Sequence, residues 1–247
     1  MEVAVRMARV GNYILGVIAA IMIVLMCAYG GYSLWDNYMI NQGAFLGSDL
    51  LSYKPTPEMG GENYSLEELM ALNPDTRGWL TIDNTHIDYP VVQGEDDMDY
   101  INTDVFGEFS LSGSIFLSCL DSPDFSDHYN LIYGHHMDNG GMFGDVMEFL
   151  DEDYFASHQT GTLYLPHETY GITLFACIEA DGYDQLIYRP GRECTDMQAL
   201  LDYLKTSSTQ YRDIGVTAGD QIIGMSTCVD AVTNGRAILF GRLEKGE

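Results

Sequence analysis

The chain begins with an apolar run that has no polar face. From Val10 to Trp35, 26 consecutive residues include no Asp, Glu, Lys or Arg. As a helix rising ~1.5 Å per residue this run would be ~39 Å long, more than the ~30 Å hydrocarbon core of a bilayer. Tyr13–Tyr29 is its most apolar part. The pattern predicts a transmembrane anchor over 10–35, behind a short N-terminus of residues 1–9. A cleaved signal peptide fits less well. Ala28-Tyr29-Gly30 offers small residues at suitable offsets, but the run exceeds the ~7–15 residues of a signal core. A lipoprotein signal ending at Cys27 would meet Met26 where a small residue is needed.

Beyond the run the pattern changes twice. Residues 36–64 read as a juxtamembrane segment and linker: Asp36–Ser52 short helical or irregular, then Tyr53–Glu62 with Pro55, Pro57, Gly60 and Gly61, which cannot continue a helix. Ser65 with Glu68 three residues on is a capping-box spacing that opens a short helix, closed by Asn73-Pro74-Asp75. From Gly78 the period becomes that of strands. Trp79–Ile82 and His86–Val92 flank Asp83-Asn84-Thr85 as a hairpin. Further apolar runs at 114–117, 130–133, 162–165, 172–178, 221–225 and 237–243 bring the count to about eight short strands. Such spacing suits a barrel or a sandwich better than a doubly wound sheet. Two helical interruptions are expected, Met142–Leu150 and Asp196–Lys205, the second opened by Thr195 with Gln198.

Charge sharpens the division at Trp35. The 247 residues carry 37 acids and 11 bases, a net charge of −26. Arg6 and Arg9 precede the apolar run, and everything after Trp35 holds 36 acids and nine bases, or −27. Bases before the span and acids after it predict a cytoplasmic N-terminus and an extracellular remainder. So acidic a chain lacks the cations to neutralise nucleic-acid phosphates or an anionic lipid surface, which excludes both as partners of the exported part. With 46% hydrophobic residues, 17 Tyr and 10 Phe it is too apolar for disorder.

No cofactor or metal is expected. The five Cys (27, 119, 177, 194 and 228) form no Cys-x-x-Cys pair, and no His-Glu-x-x-His is present. Glu95-Asp96-Asp97-Met98-Asp99 begins like a calcium loop but has Tyr100 where Gly and Phe106 where an acid would be required. Cys177 falls in an apolar strand and reads as core, whereas exposed Cys119 and Cys194 are a possible disulfide.

Nucleophilic chemistry is better supported. Cys228 ends the strand that starts at Gln221, and Arg236 opens the last strand after a loop containing Asn234-Gly235. If these strands pair antiparallel, the two residues share one rim. A fixed cation there favours the thiolate over a thiol of pKa ~8.5 and can hold the oxygen that turns negative when a thiolate attacks a carbonyl. His135 follows the strand Asn130–Tyr133 on a Gly-rich rim, where a general acid would be steadied by the sheet and open to substrate. Each residue also has a bland reading: buried small hydrophobe, surface charge, loop histidine.

Four stretches move the balance: Asn73-Pro74-Asp75 with Gly78-Trp79-Leu80; Ile87-Asp88-Tyr89-Pro90-Val91-Val92-Gln93; Tyr133-Gly134-His135-His136-Met137 with Gly141-Met142-Phe143; and Ser226-Thr227-Cys228 with Arg236. Over residues 65–243 they resemble a class B sortase, a membrane-anchored cysteine transpeptidase of Gram-positive bacteria. The resemblance implies a mainly β fold, an eight-stranded barrel with a few short helices, as an extracellular catalytic domain over 65–247. It implies a catalytic Cys228, His135 and Arg236, with Ser226, Thr227 and His136 as substrate-binding residues. It further implies cleavage of a surface protein's C-terminal sorting signal after Thr, and transfer to a peptidoglycan cross-bridge amine or a pilin Lys. A Cys-His hydrolase using water and a non-catalytic tethered barrel are the competing readings.

Overall fold

The computed structural model of the chain describes residues 1–45, 47–56, 63–228 and 234–246, without the side chains of residues 40–44, 48 and 228. Two compact units emerge, Met1–Gln42 and Gly43–Glu247. The first is one helix, α1 (Glu2–Ala44), long and apolar enough to cross a membrane. It runs on through Asp36–Ala44, where an irregular segment was equally expected, and a second short helix, α2 (Ser48–Leu51), follows. Of the expected linker, Pro57–Glu62 lies outside the described residues.

In the second unit, α3 (Tyr64–Leu72) precedes β1 (Thr76–Ile82), β2 (Asp88–Val92), β3 (Ile115–Leu117) and β4 (Tyr129–Tyr133). A 3₁₀ turn (Gly144–Leu150), α4 (Glu152–Ser157), β5 (Thr160–Tyr164), β6 (Thr169–Asp181), α5 (Met197–Ser207), β7 (Gln210–Tyr211), β8 (Gln221–Cys228) and β9 (Gly235–Lys245) complete it. The strand order β5-β1-β2-β3-β4-β8-β9-β6 closes on itself through β5–β6 pairing, so eight strands make a closed barrel and β7 hangs from β6 as a ninth. Closure pairs every long strand on both sides and leaves no long edge open. All eight expected strands are found.

Alternation along β8 and β9 shows why these strands read as unbroken apolar runs. Ile223, Met225, Ala237 and Leu239 point into the barrel core with Leu80, Val91, Ile132 and Phe143. Ile222, Ile238 and Phe240 point outward and are covered by Leu200, Leu201 and Leu204 of α5. Both faces are buried, so neither carries the polar half of a period-two pattern. A third cluster packs Leu66 and Leu69 of α3 against Trp79 and Val92, with Leu50 and Tyr53 joining it.

Both helix starts differ from expectation. The N-cap of α3 is Asn63, not Ser65, and its side chain is drawn away to the Leu165 carbonyl at 2.5 Å. The cap of α5 is Asp196, not Thr195, with its carboxylate accepting from the Ala199 amide at 2.9 Å. An Asx residue within two positions of the hydroxyl residue holds the N-cap position both times, though only Asp196 caps with its side chain. The helix expected at Met142–Leu150 starts at Gly144 and is 3₁₀, and α4, capped by Asp151, was not foreseen.

One polar group is buried where β3 hands over to β4. Asp121, 5% exposed, accepts the Leu131 amide on Oδ2 at 2.8 Å, while its Oδ1 has no partner among the described residues. Burial, aided by the charges of Asp127 and Asp97 and opposed by the Leu131 N–H, pushes its pKa up to about 8. The unfolded carboxyl ionises near ~3.9, so between about pH 4 and 8 the folded state binds more protons and stability falls as pH rises. Asp121→Asn removes this loss. Denaturant titrations should show the variant gaining on the wild type from about pH 5 to about pH 8.5; a pH-independent difference would contradict the assignment.

Candidate active site

The site follows from two registers on β8. Parallel pairing sets Tyr133 of β4 beside Ser226, and the Gly134 amide continues it by donating to the Ser226 carbonyl at 3.1 Å. Both strands therefore leave the barrel at one rim, His135 two residues past Tyr133 and Cys228 two past Ser226. On the other flank β9 runs antiparallel, with Cys228 directly opposite Arg236 and Thr227 opposite Ala237. Directly opposed residues in such a pair lie ~4.5–5.5 Å apart between Cα atoms and share a face of the sheet. Position 228 thus sits between the strand that delivers the histidine and the strand that delivers the arginine.

A cavity of about 130 Å³ opens at this rim, lined by Ile101, Phe116, Tyr133, Gly134, His135, Ser226, Thr227 and Arg236. Of the six expected site residues, His135, Arg236, Ser226 and Thr227 line it, and Cys228 is placed beside it by its backbone; its side chain lies outside the description. His136 does not line the cavity. Its Nε2 lies 3.3 Å from Asp138 Oδ1, and it bridges Met142 across the loop.

His135 Nε2 lies 2.8 Å from the Ile101 carbonyl oxygen. A carbonyl oxygen only accepts, so Nε2 carries a proton in this geometry and Nδ1 is the nitrogen left to exchange one. Among the described residues Arg236 donates only to the adjacent Gly235 carbonyl, at 3.1 Å, and no carboxylate pairs with it. A guanidinium at this rim can hold a developing negative charge. The Thr227 hydroxyl is buried with no partner among the described residues.

The cavity wall holds residues that local sequence patterns did not single out. Tyr133 packs on Phe116 (centroids 5.3 Å apart) and stacks on Tyr188 (6.4 Å, 10° between planes). The Tyr188 hydroxyl lies 3.0 Å from Ser226 Oγ. Tyr188 comes from the long connection between β6 and α5, which is clipped to the barrel by Tyr129 donating to the Ile187 carbonyl at 2.9 Å. Burial pushes the Tyr133 phenol above its ordinary range, so it stays a neutral wall. No short motif announces Tyr188 or Ile101, because each reaches the site from a remote connection.

Three other thiols of this unit are free and poor nucleophiles. Burial pushes Cys177 well up; burial also raises Cys119 and Cys194, with Asp97 adding at the first and the Asp196 backbone N–H opposing it at the second. Cys177 is fully buried, as expected for a core residue.

No family model matches the chain. It is 34% identical to sortase B of Listeria monocytogenes over 191 residues, which cover 76% of this chain and 78% of that protein. Among solved structures it matches a Streptococcus pyogenes class B sortase involved in pilus biogenesis at 40% identity and TM-score 0.67, covering 72% of this chain and 97% of that one. It also matches the Staphylococcus aureus sortase B–substrate complex at 28% identity and TM-score 0.68, covering 74% and 86%. The chain, an eight-stranded barrel that gathers a cysteine, a histidine and an arginine at one rim and shares its fold and sequence with these enzymes, belongs to the class B sortases, cysteine transpeptidases that act on sorting-signal substrates.

Proposed function

We propose that the chain is an anchored extracellular transpeptidase in which Cys228 is the nucleophile, His135 the general acid and base, and Arg236 the oxyanion partner. The observation that carries this reading is the pair of registers on β8, which fixes 228 between 135 and 236. The Cys228 thiolate attacks the carbonyl carbon of the Thr in a sorting signal, and the carbonyl oxygen takes up negative charge beside the Arg236 guanidinium. Collapse breaks the C–N bond, His135 gives a proton to the departing amine, and a thioester remains on Cys228. An incoming amine attacks the thioester and passes a proton to His135. An amide forms and the thiolate is released.

Residues 10–35 act as the anchor, residues 1–9 lie in the cytoplasm, 36–64 link, and 65–247 form the catalytic domain. The acceptor is a primary amine, from a peptidoglycan cross-bridge or a pilin Lys. The pilus-linked S. pyogenes enzyme matches at 40% identity against 28% for the S. aureus enzyme, which favours the pilin Lys. The acidic exterior, −27 after Trp35, would draw a cationic amine inward over the ~8 Å that physiological salt leaves unscreened.

Cys228→Ala should abolish cleavage of a sorting-signal peptide; retained cleavage would remove Cys228 from the mechanism. Arg236→Lys keeps the charge but loses the planar fork, and its kcat should fall ~100-fold or more, as when an oxyanion donor is lost. Wild-type kcat in Arg236→Lys would mean a bystander charge. With a lysine-bearing acceptor present, mass spectrometry should find mainly ligated product. Mainly free acid under the same conditions would favour a hydrolase.

A further inference from the structure

The segment that carries His135 is a loop with two legs. It leaves β4 at Gly134 and returns through Met142 and Phe143 into the 3₁₀ turn that begins at Gly144. The legs are joined: the Phe143 amide donates to the His135 carbonyl at 3.0 Å, and the Phe143 ring, with the Ile115 side chain, fills the space where a Gly134 side chain would stand. The seat of Phe143 therefore helps to set the direction in which His135 leaves the sheet.

The return leg is held from the β1–β2 hairpin at two points. The Tyr89 hydroxyl accepts the Met142 amide at 2.8 Å. Two residues past Phe143, the Asp145 carboxylate accepts the backbone N–H of His86 at 2.7 Å and has the His86 ring Nδ1 at 3.0 Å. Asp145 is 7% exposed, and the crest of the loop folds over it. Gly140 has a φ of +82°, and a Cβ there would stand 2.7 Å from Asp145 Oδ1. A buried carboxylate is costly unless hydrogen-bonded, yet this one lies outside the cavity lining and has no part in the bond-making steps.

We propose that Asp145, seated by His86, is a positioning residue for His135: it fixes the return leg, and Phe143 passes that placement to the general acid. The inference rests on His135 being the general acid. Misplacing a catalytic group by ~1 Å can cost ~100-fold in rate, so the loop need not unfold for its loss to matter.

The test is steady-state cleavage of a sorting-signal peptide by the full chain and its variants. Asp145→Ala should lower kcat ~10-fold or more with KM changed less than ~threefold, while Asp145→Asn, which keeps an oxygen for the His86 amide, should return kcat to within ~threefold of wild type. Asp151→Ala, which removes the cap of α4 and does not touch the loop, controls for general destabilisation and should keep kcat. The proposal is overturned if Asp145→Ala turns over within ~twofold of Asp151→Ala, or if Asp145→Asn recovers nothing. Should Asp145→Ala not fold, His86→Ala decides. It removes an exposed ring but keeps the backbone bond, and should lower kcat ~threefold with KM unchanged; an unchanged kcat overturns the proposal. His135→Ala separates the two claims. Full activity in that variant sinks the general-acid reading, whereas an inactive His135→Ala beside a normal Asp145→Ala sinks only the positioning role.

Discussion

The parallel pairing of β4 with β8, Tyr133 against Ser226, is the constraint on which the rest of the site depends. Parallel neighbours end at the same side of a sheet, so the residues just beyond them are brought together without any loop having to bend back. The antiparallel β9 then begins where β8 ends, and its first residues face the last ones of β8. Three chain segments that are distant in sequence thus present their chemistry at one rim. Closure of the barrel through β5 and β6 keeps that rim from fraying, because no long strand is left as an edge.

Electrostatics select among groups that geometry alone would treat alike. The chain after Trp35 is strongly acidic, and its bases are mostly held by carboxylates or carbonyls: Lys54 by Asp88, Lys245 by Glu168, Arg212 by the Leu174 and Phe155 carbonyls. Among the described residues Arg236 donates to a single neighbouring carbonyl. The same logic applies to the thiols. Cys119, Cys177 and Cys194 sit where burial or nearby acids disfavour the thiolate, whereas position 228 lies opposite a guanidinium-bearing residue.

How much of this was legible in the sequence depended on the length scale of each signal. The eight barrel strands were visible because runs such as Gln221–Met225 and Ala237–Leu243 are buried on both faces and stand out as β-branched and aromatic blocks. β7 has two residues, too few for any period, and the six residues of α4 bury only Phe155. The starts of α3 and α5 lie one or two residues from the hydroxyl residue, at a nearby Asn or Asp, because only the fold decides which of two neighbouring polar residues takes the N-cap position. The ends of β6 extend past the expected Ile172–Ile178 because Thr169, Glu179 and Asp181 pair by backbone alone. The meeting of positions 228, 135 and 236 at one rim could be read from strand ends and motif spacing. The contacts of Tyr188, Ile101 and Asp145 could not, because each is a tertiary contact that no local spacing encodes.

In the proposed mechanism the rim formed by β4, β8 and β9 makes one thiol, that of Cys228, an acyl acceptor. Its most direct test is to mix the protein with a sorting-signal peptide without added amine, quench in acid, and locate the acyl group by peptide mapping with mass spectrometry. The account predicts a thioester whose acyl part ends at Thr, on the peptide containing Cys228 and on no other. Cleaved substrate with no thioester, or an acyl group on Cys119 or Cys194, would contradict it.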